Sequence, residues 1–162
     1  MDTVNKKTRS CIMSRVRQRN TGPEVRLRKA LYRGGVRYRL HDRSLPGSPD
    51  IILQKYHAII FVHGCFWHSH GCRFATKPKS RRKFWLAKFR ANKKRDCRNI
   101  KALLDNKWRV AIVWECDINR KDNCFKRVVE QVLYWIKSNS SYIEFPKRER
   151  RTNISWDPGT RY

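Results

Sequence analysis

The spacing of apolar residues along the chain predicts a mixture of helices and strands. Thr21 is predicted to be the N-cap of a helix, Glu24 completes a capping box, and Gly34 and Gly35 end the helix. Short apolar runs or alternation predict strands over residues 36–40, 51–53, 58–62 and 108–114. Helical spacing predicts helices over residues 80–106 and 124–136, and one short helix within residues 1–20.

Two of these strands indicate where a chemically useful side chain lies. If strands 51–53 and 58–62 form a hairpin centred on Tyr56, Asp50 lies opposite Val62. The preceding stretch 45–49 contains two prolines and a glycine, which favour a turn that leads into the first strand. We therefore expect the Asp50 carboxylate at a sheet edge.

The order of the elements predicts an α/β fold in which helices flank a central mixed sheet. A length of 162 residues favours one globular unit with a real core. We expect residues 1–20 to form a basic DNA-contacting segment, residues 21–137 to form the folded core, and residues 138–162 to form a basic polar tail without regular structure.

The charge of the chain points to a polyanionic partner. The net charge is +26 and the isoelectric point is about 10.7, which favour nucleic acid. A membrane surface is the rival partner, but the sequence has neither an apolar span nor a lipidation motif. Its N-terminal residues lack the apolar core of a signal peptide, so we expect a cytoplasmic protein whose six cysteines are intracellular thiols.

Metal-binding residue types are concentrated between residues 63 and 72. Cys65, His70 and Cys72 lie within this stretch, and Cys116 follows a predicted buried strand. Three cysteines and one histidine complete a tetrahedral, structural zinc site. The alternative is that Cys65 and Cys116 are core thiols and that His70 is a surface residue.

Asp50 is a candidate ligand for a harder cation. A carboxylate, the strand-end carbonyl of Val62 and a nearby imidazole from His63 or His68 are a suitable environment for Mg²⁺, which activates water for phosphodiester hydrolysis. Taken alone, Asp50 is more typical of a turn after Gly-Ser-Pro, and only its pairing with His63 and His68 favours the metal site.

His68 is the candidate general acid and base, because an ordinary imidazole exchanges a proton near neutral pH. Its alternatives are a zinc ligand or a surface histidine. Glu24 and Asp96 are candidate supporting groups, and each has a structural alternative: the capping box for Glu24, and ion pairs along a basic helix for Asp96.

Three aromatic residues are candidates for contact with bases. Phe66 and Trp67 are adjacent in a polar loop, so at least one is expected to be exposed beside positive charge, as in side chains that insert between bases. Trp85, on the basic helix, is expected to join them. The alternative is a small local core over the zinc site.

Several motifs resemble the very short patch repair (Vsr) DNA mismatch endonucleases, over residues 6 to 136. They are Thr8-Arg9-Ser10, Met13-Ser14-Arg15-Val16-Arg17, Thr21-x-Pro23-Glu24, Tyr38-Arg39-Leu40-His41, Leu45-Pro46-Gly47-x-Pro49-Asp50, Phe61-Val62-His63-Gly64-Cys65-Phe66-Trp67-His68, Phe84-Trp85, Arg95-Asp96, Trp108-Arg109-Val110 and Val113-Trp114-Glu115-Cys116.

The resemblance implies a core like that of the PD-(D/E)xK restriction endonucleases with one structural zinc, although the second acid and the lysine of that wider motif are absent. It implies Mg²⁺-dependent nicking of duplex DNA 5′ to the thymine of a T:G mispair, which arises when 5-methylcytosine deaminates. A monomer with a functional link to a cytosine-5 DNA methyltransferase, in the bacterial cytoplasm at the nucleoid, is the corresponding expectation.

The resemblance also implies roles for individual residues. Asp50 with the Val62 carbonyl resembles the Mg²⁺ site, His68 the general acid and base, and Glu24, His63 and Asp96 the supporting groups. Cys65, His70, Cys72 and Cys116 resemble the zinc ligands. Met13, Arg15, Phe66, Trp67 and Trp85 resemble the DNA-contacting residues. Two other functions remain open from the residues alone: a zinc-stabilised DNA-binding module without catalysis, and a restriction-type endonuclease.

Overall fold

The computed structural model describes residues 5, 7, 8, 11, 19–76, 78, 80–120 and 123–145. Met13, Arg15 and most of the predicted N-terminal helix lie outside these residues. The elements are α1 (Gly22–Arg33), β1 (Ile51–Leu53), a 3₁₀ turn (Gln54–Tyr56), β2 (Ala58–His63), α2 (Arg82–Asp105), β3 (Arg109–Trp114), α3 (Glu115–Ile118), α4 (Cys124–Lys137) and β4 (Tyr142–Phe145).

The strands form one mixed sheet in the order β1-β2-β3-β4. β1 and β2 are antiparallel, whereas β2, β3 and β4 run parallel to one another. Side chains alternate between the two faces of the sheet. Nearly all residues of β2 and β3 are buried, so both faces must be covered, and helices cover them. One face packs on α1 and α4 through residues such as Leu27, Val132 and Trp135, and the other packs on α2 through Ile100 and Leu103. The predicted α/β architecture with flanking helices is confirmed.

Three sequence predictions about the strands need correction. Residues 36–40 do not form a strand, since Arg39 alone makes a bridge, to Ile52, and the chain then turns through His41 with a positive φ of 52°. The β1–β2 register pairs Ile51 with Ile60, one residue away from the predicted register, because His57 closes the turn in the left-handed conformation.

The third correction concerns the C-terminal part of the chain. Residues 142–145 were expected to lack regular structure, yet they form β4 and pair in parallel with β3, with Val110 opposite Tyr142. Phe145 is buried in the core beneath this strand. The sheet therefore continues beyond residue 137, where the sequence placed the end of the core.

The predicted helices agree closely with the structure. α1 begins after Thr21, whose backbone N–H donates to Glu24 Oε2 at 3.3 Å and completes the capping box. α2 and α4 differ from their predicted bounds by two residues or fewer at each end. Among the described residues, no helix combines the length and apolar character that crossing a bilayer requires.

Candidate active site and thiol cluster

A cleft of about 2140 Å³ lies between the N-terminal end of α1 and one face of α2. Its floor is the carboxyl end of β2, with Val62, His63 and the loop that follows. The cations that line it are Arg19, Arg26, Lys29, Arg81, Lys88 and Arg95, and the acidic residues are Asp50, Asp96 and Glu115. Basic walls around an acidic floor are suited to a nucleic-acid backbone that approaches a bound cation.

Asp50 lies at the floor of this cleft, as the hairpin argument predicted. Its Oδ2 accepts a hydrogen bond from the Val62 N–H at 2.7 Å, so the carboxylate reaches Val62 in spite of the shifted register. Burial is the main cause that raises the pKa of Asp50 to about 7, the charge of Glu24 adds to the rise, and the Val62 hydrogen bond and Arg28 oppose it. Because this carboxylate is costly to ionise when no positive charge lies beside it, a divalent cation bound there would stabilise its charged form.

Glu24 lies next to Asp50 and combines its capping role with a place near the cleft floor. It is 1% exposed, and Arg28 Nη1 and His41 Nε2 lie 3.1 and 3.2 Å from its Oε1. Ligand atoms of Glu24, His41 and Asp50 all lie within 4.8 Å of one another. His41 was not among the predicted site residues, because its chain neighbours carry no metal-binding pattern and only the fold brings it to Glu24.

His63, His68 and Asp96 form a second group on the floor. The His63 and His68 rings stack with their centroids 3.9 Å apart, and His68 Nδ1 lies 2.5 Å from Asp96 Oδ2. Burial chiefly, and then the neighbouring His68, lower the pKa of His63 to about 3, so this ring is neutral. Burial works against the Asp96 carboxylate, but the hydrogen bond and charge of His68 outweigh it and lower the pKa of Asp96. Asp96 therefore pairs with His68 rather than acting only in ion pairs along α2.

Cys65, His70, Cys72 and Cys116, hereafter the thiol cluster, converge behind this loop. His70 Nδ1 lies 3.6 Å from Cys65 Sγ and 3.5 Å from Cys116 Sγ. A tetrahedral zinc with ordinary bond lengths requires a separation of roughly 3.6 Å between a sulfur and a nitrogen ligand. The four residues thus fit a metal ion of this kind, and the alternative of scattered core thiols with a surface histidine does not describe their arrangement.

The electrostatics of the thiol cluster agree with a metal-binding role. Contact with Cys116, followed by the bond to His70, lowers the pKa of the Cys65 thiol well below its usual range, although burial opposes this. The pKa of Cys116 shifts upward, because the pair stabilises one thiolate at the expense of the other. A divalent cation relieves that competition, since it favours thiolates at both positions.

Phe66, Trp67 and Trp85, hereafter the aromatic wedge, form one contiguous cluster. Phe66 lies 5.2 Å from Trp67 and 5.1 Å from Trp85, measured between ring centroids, and all three side chains are half-buried. The buried Phe89 supports the wedge from α2, 5.4 Å from Phe66. The three rings are therefore neither fully exposed nor fully buried. Phe84, which is 49% exposed and also lines the cleft, extends the wedge and was not among the predicted site residues.

The side chains of Asn92 and Glu115 hold the loop that follows β2 and contains Cys65. The buried Asn92 donates through Nδ2 to the Trp67 carbonyl at 2.8 Å, which attaches the loop to α2. Glu115, at the start of α3, accepts the Cys65 N–H at 3.1 Å. Gly64 packs so closely that an added Cβ would lie 3.2 Å from Trp67. Cys65, Phe66, Trp67 and His68 thus share one loop that is fixed at both ends.

Comparison with known proteins assigns the chain to a family. A family model described as DNA mismatch endonuclease Vsr matches residues 1–74. The type II nicking enzyme V.XorIIP of Xanthomonas oryzae is 46% identical over 118 residues, which cover 73% of this chain and 87% of that protein. The type II nicking enzyme V.NmeAIP of Neisseria meningitidis is 40% identical over 127 residues, or 78% of this chain and 91% of that protein.

The relative from Escherichia coli strain K12 carries the name DNA mismatch endonuclease Vsr. It is 40% identical over 136 residues, which cover 83% of this chain and 87% of that protein. The resemblance found in the motifs is confirmed, and the chain belongs to the Vsr family of DNA mismatch endonucleases.

Proposed function

We propose that this protein nicks duplex DNA 5′ to the thymine of a T:G mispair, in a reaction that depends on Mg²⁺. The observation that carries the proposal is the cleft, where the half-buried Asp50 carboxylate and a histidine–aspartate pair lie beside the aromatic wedge and between basic walls. The names of the relatives support both action at a mismatch and nicking, since one relative is named a mismatch endonuclease and others are named nicking enzymes.

Asp50 and the backbone carbonyl of Val62 are the groups that would hold Mg²⁺. When bound there, Mg²⁺ supplies a Lewis acid for the scissile phosphate and a water of lowered pKa. Glu24 adds negative charge beside Asp50 and strengthens the attraction for a cation. The Val62 N–H fixes one carboxylate oxygen of Asp50, so the side chain is already oriented before a cation arrives.

His68 transfers the proton. Its Nδ1 is engaged by Asp96, which leaves Nε2 as the end that gives or takes a proton. Asp96 remains ionised because its pKa is lowered, and it holds the imidazole in one orientation. The stacked His63 is neutral, so it supports the ring of His68 without placing a second positive charge beside it.

The aromatic wedge supplies mismatch preference. A T:G wobble pair stacks less firmly than a Watson–Crick pair, so opening the adjacent step costs less, and contact between rings and bases offsets the remainder. Met13 and Arg15, on the basic N-terminal segment, would approach the DNA from its minor-groove side. The thiol cluster would hold one structural Zn²⁺, which would order the loop that carries Phe66, Trp67 and His68.

The other parts of the proposal follow from the substrate. T:G mispairs arise by deamination of 5-methylcytosine, so the enzyme would act beside a cytosine-5 DNA methyltransferase, at the nucleoid of a bacterial cytoplasm. We propose a monomer, in which residues 21–137 and β4 form the nuclease core, and residues after 145 add phosphate affinity.

The test is strand-resolved cleavage by the purified full chain. Duplexes that differ only in one pair, T:G, T:A or C:G, are labelled on each strand in turn and incubated with Mg²⁺, and the products are mapped. A single nick 5′ to the mispaired thymine is expected, with Asp50→Asn inactive. Binding without any nick would indicate a binding module, and cleavage of both strands of paired duplex would indicate a restriction-type enzyme; either result rejects the proposal.

A further inference from the structure

We infer that Glu24, His41 and Asp50 together form a divalent-cation site whose imidazole gives it a preference for a first-row transition metal, with Mn²⁺ as the probe, over Mg²⁺. This inference rests on the proposed function, since it takes Asp50 as the ligand of the catalytic cation. It adds a nitrogen ligand that the sequence motifs did not indicate, and it specifies which cations the cleft binds best.

The first observation is convergence. One ligand atom from each of Glu24, His41 and Asp50 lies within 4.8 Å of the other two. Glu24 lies on α1, His41 lies in the loop before β1, and Asp50 immediately precedes β1. Residues so far apart in the chain meet only because α1 packs on this end of the sheet. The separation of 3.2 Å between His41 Nε2 and Glu24 Oε1 is one that two ligands of a single cation adopt.

The second observation concerns the two closest atoms. His41 Nε2 and Glu24 Oε1 are buried, yet neither has a hydrogen-bond partner of acceptable geometry among the described residues. Glu24 Oε1 lies at ion-pair distance from His41 Nε2 and from Arg28 Nη1, but neither contact has the geometry of a hydrogen bond. Buried polar atoms that remain unsatisfied in this way indicate a bound ion or water. Asp50, whose carboxylate is partly accessible from the cleft, provides the third ligand and the route of entry.

The backbone of His41 agrees with a functional constraint. Its φ of 52° lies in the left-handed region, which a histidine adopts uncommonly and which costs free energy unless the surroundings compensate. This conformation directs the residue after the single Arg39–Ile52 bridge back toward α1.

The charge around the site favours one divalent cation. With a cation bound, the two carboxylates carry two negative charges, and the Arg28 guanidinium, 3.1 Å from Glu24 Oε1, offsets part of them. Arg28 is anchored away from the site by its Nη2, which donates to Asn20 Oδ1 at 2.8 Å, so it can remain in place beside a cation.

The ligand set decides the metal preference. Mg²⁺ favours oxygen ligands and retains several waters, so an imidazole adds little to its affinity. First-row transition metals gain from a nitrogen ligand. His41→Gln keeps a polar side chain of similar reach but removes the imidazole. We expect it to weaken Mn²⁺ binding by about 10- to 100-fold, the range that even indirect supporting contacts contribute, and to change Mg²⁺ binding far less.

The experiment uses the full chain saturated with one equivalent of Zn²⁺, so that the thiol cluster does not take up Mn²⁺. Free Mn²⁺ is titrated by electron paramagnetic resonance, with Mg²⁺ as competitor, for the wild type and His41→Gln. The matched control is His57→Gln, because His57 lies at the other end of β2, where it stacks on Trp108 with ring centroids 4.0 Å apart. This control should leave both affinities unchanged.

A second measurement starts from the wild type alone, so part of it does not depend on whether a variant folds. Electron spin echo modulation of bound Mn²⁺ should contain a ¹⁴N coupling in the wild type, and His41→Gln should abolish it while His63 and His68 remain. A wild type without ¹⁴N coupling overturns the inference, as does a His41→Gln variant that retains both the coupling and the Mn²⁺ preference. Nicking of T:G duplex with Mg²⁺ is measured on the same preparations. Nicking without His41-dependent Mn²⁺ binding rejects this inference alone, whereas His41-dependent binding without nicking under either metal rejects the proposed function.

Discussion

Asp50→Asn should make the protein more stable at alkaline pH in the absence of Mg²⁺ and Mn²⁺. Burial is the main cause that raises the pKa of Asp50 from 3.8 to about 7, with the charge of Glu24 adding to it. Asparagine has almost the same shape, and its side-chain oxygen still accepts the Val62 N–H. The variant therefore removes an unfavourable buried charge while it keeps the local contacts.

The sign and size follow from proton linkage. The folded state holds the Asp50 proton more tightly than the unfolded state, so the wild type loses stability as the pH rises through the interval between 3.8 and about 7. One pKa unit corresponds to about 1.4 kcal/mol, so a rise of roughly three units sets an upper limit of about 4 kcal/mol. Asp50 is partly open to the cleft, and solvent screening there reduces the expected gain to about 1–2 kcal/mol.

The assay is urea unfolding of zinc-saturated protein at acidic and alkaline pH. Asp50→Asn should raise the unfolding midpoint at pH ~8, and the gain should shrink toward pH ~4, where the wild-type carboxyl is protonated in both states. Asp42→Asn is the matched control, because Asp42 is a loop carboxylate whose pKa is lowered by its hydrogen bonds from Ser44. Removing that charge should bring no gain.

The reasoning is refuted if Asp50→Asn is no more stable than the wild type at alkaline pH, or if its gain does not depend on pH. Saturating Mg²⁺ provides a further check. A cation that binds only the folded wild type adds stability according to its concentration relative to Kd, so Mg²⁺ should narrow the difference between the two proteins.

Three further predictions address the other parts of the site. His68→Ala should slow nicking by ~10²–10⁴-fold, as expected for a lost general acid and base, with zinc content unchanged by elemental analysis; a loss of zinc would instead make His68 a ligand. Cys116→Ser should reduce bound zinc below one equivalent and lower the unfolding midpoint, and native protein that contains no zinc would eliminate that site. Replacing Phe66 and Trp67 by alanine should remove much of the preference for T:G over paired duplex, while salt-dependent binding through Lys88 and Lys94 persists. Competition binding titrations at two salt concentrations measure both. An unchanged preference would mean that hydrogen bonds to the T:G pair, rather than the aromatic wedge, discriminate the mismatch.

Local signals in the sequence were sufficient for the helices and for the grouping of most site residues. The capping box at Thr21 and Glu24 identified the start of α1, and the dense run from His63 to Cys72 identified three of the four members of the thiol cluster, all but Cys116. These features are encoded within a few consecutive residues. A single turn or loop sets their geometry, so periodicity and spacing are enough to predict them.

Contacts between distant segments were harder to predict. β4 has only four residues, Tyr142–Phe145, and is a strand because β3 offers it a free edge. His41 follows a stretch that alternates like a strand, yet it turns toward Glu24 because only Arg39 pairs with Ile52. In each case the partner, rather than the segment itself, determines the conformation, and one sequence without its partners does not contain that information.

β4 also positions the chemistry, although it contributes no candidate catalytic residue. Glu144 on β4 accepts a hydrogen bond from Trp114 Nε1 at 2.6 Å, which fixes the indole at the end of β3. The indole stacks on His70, with ring centroids 3.9 Å apart, and presents its edge to His63 at 5.3 Å. Trp114 therefore packs between His70 of the thiol cluster and the stacked His63 and His68 rings, so the segment after residue 137 helps to set the spacing between them.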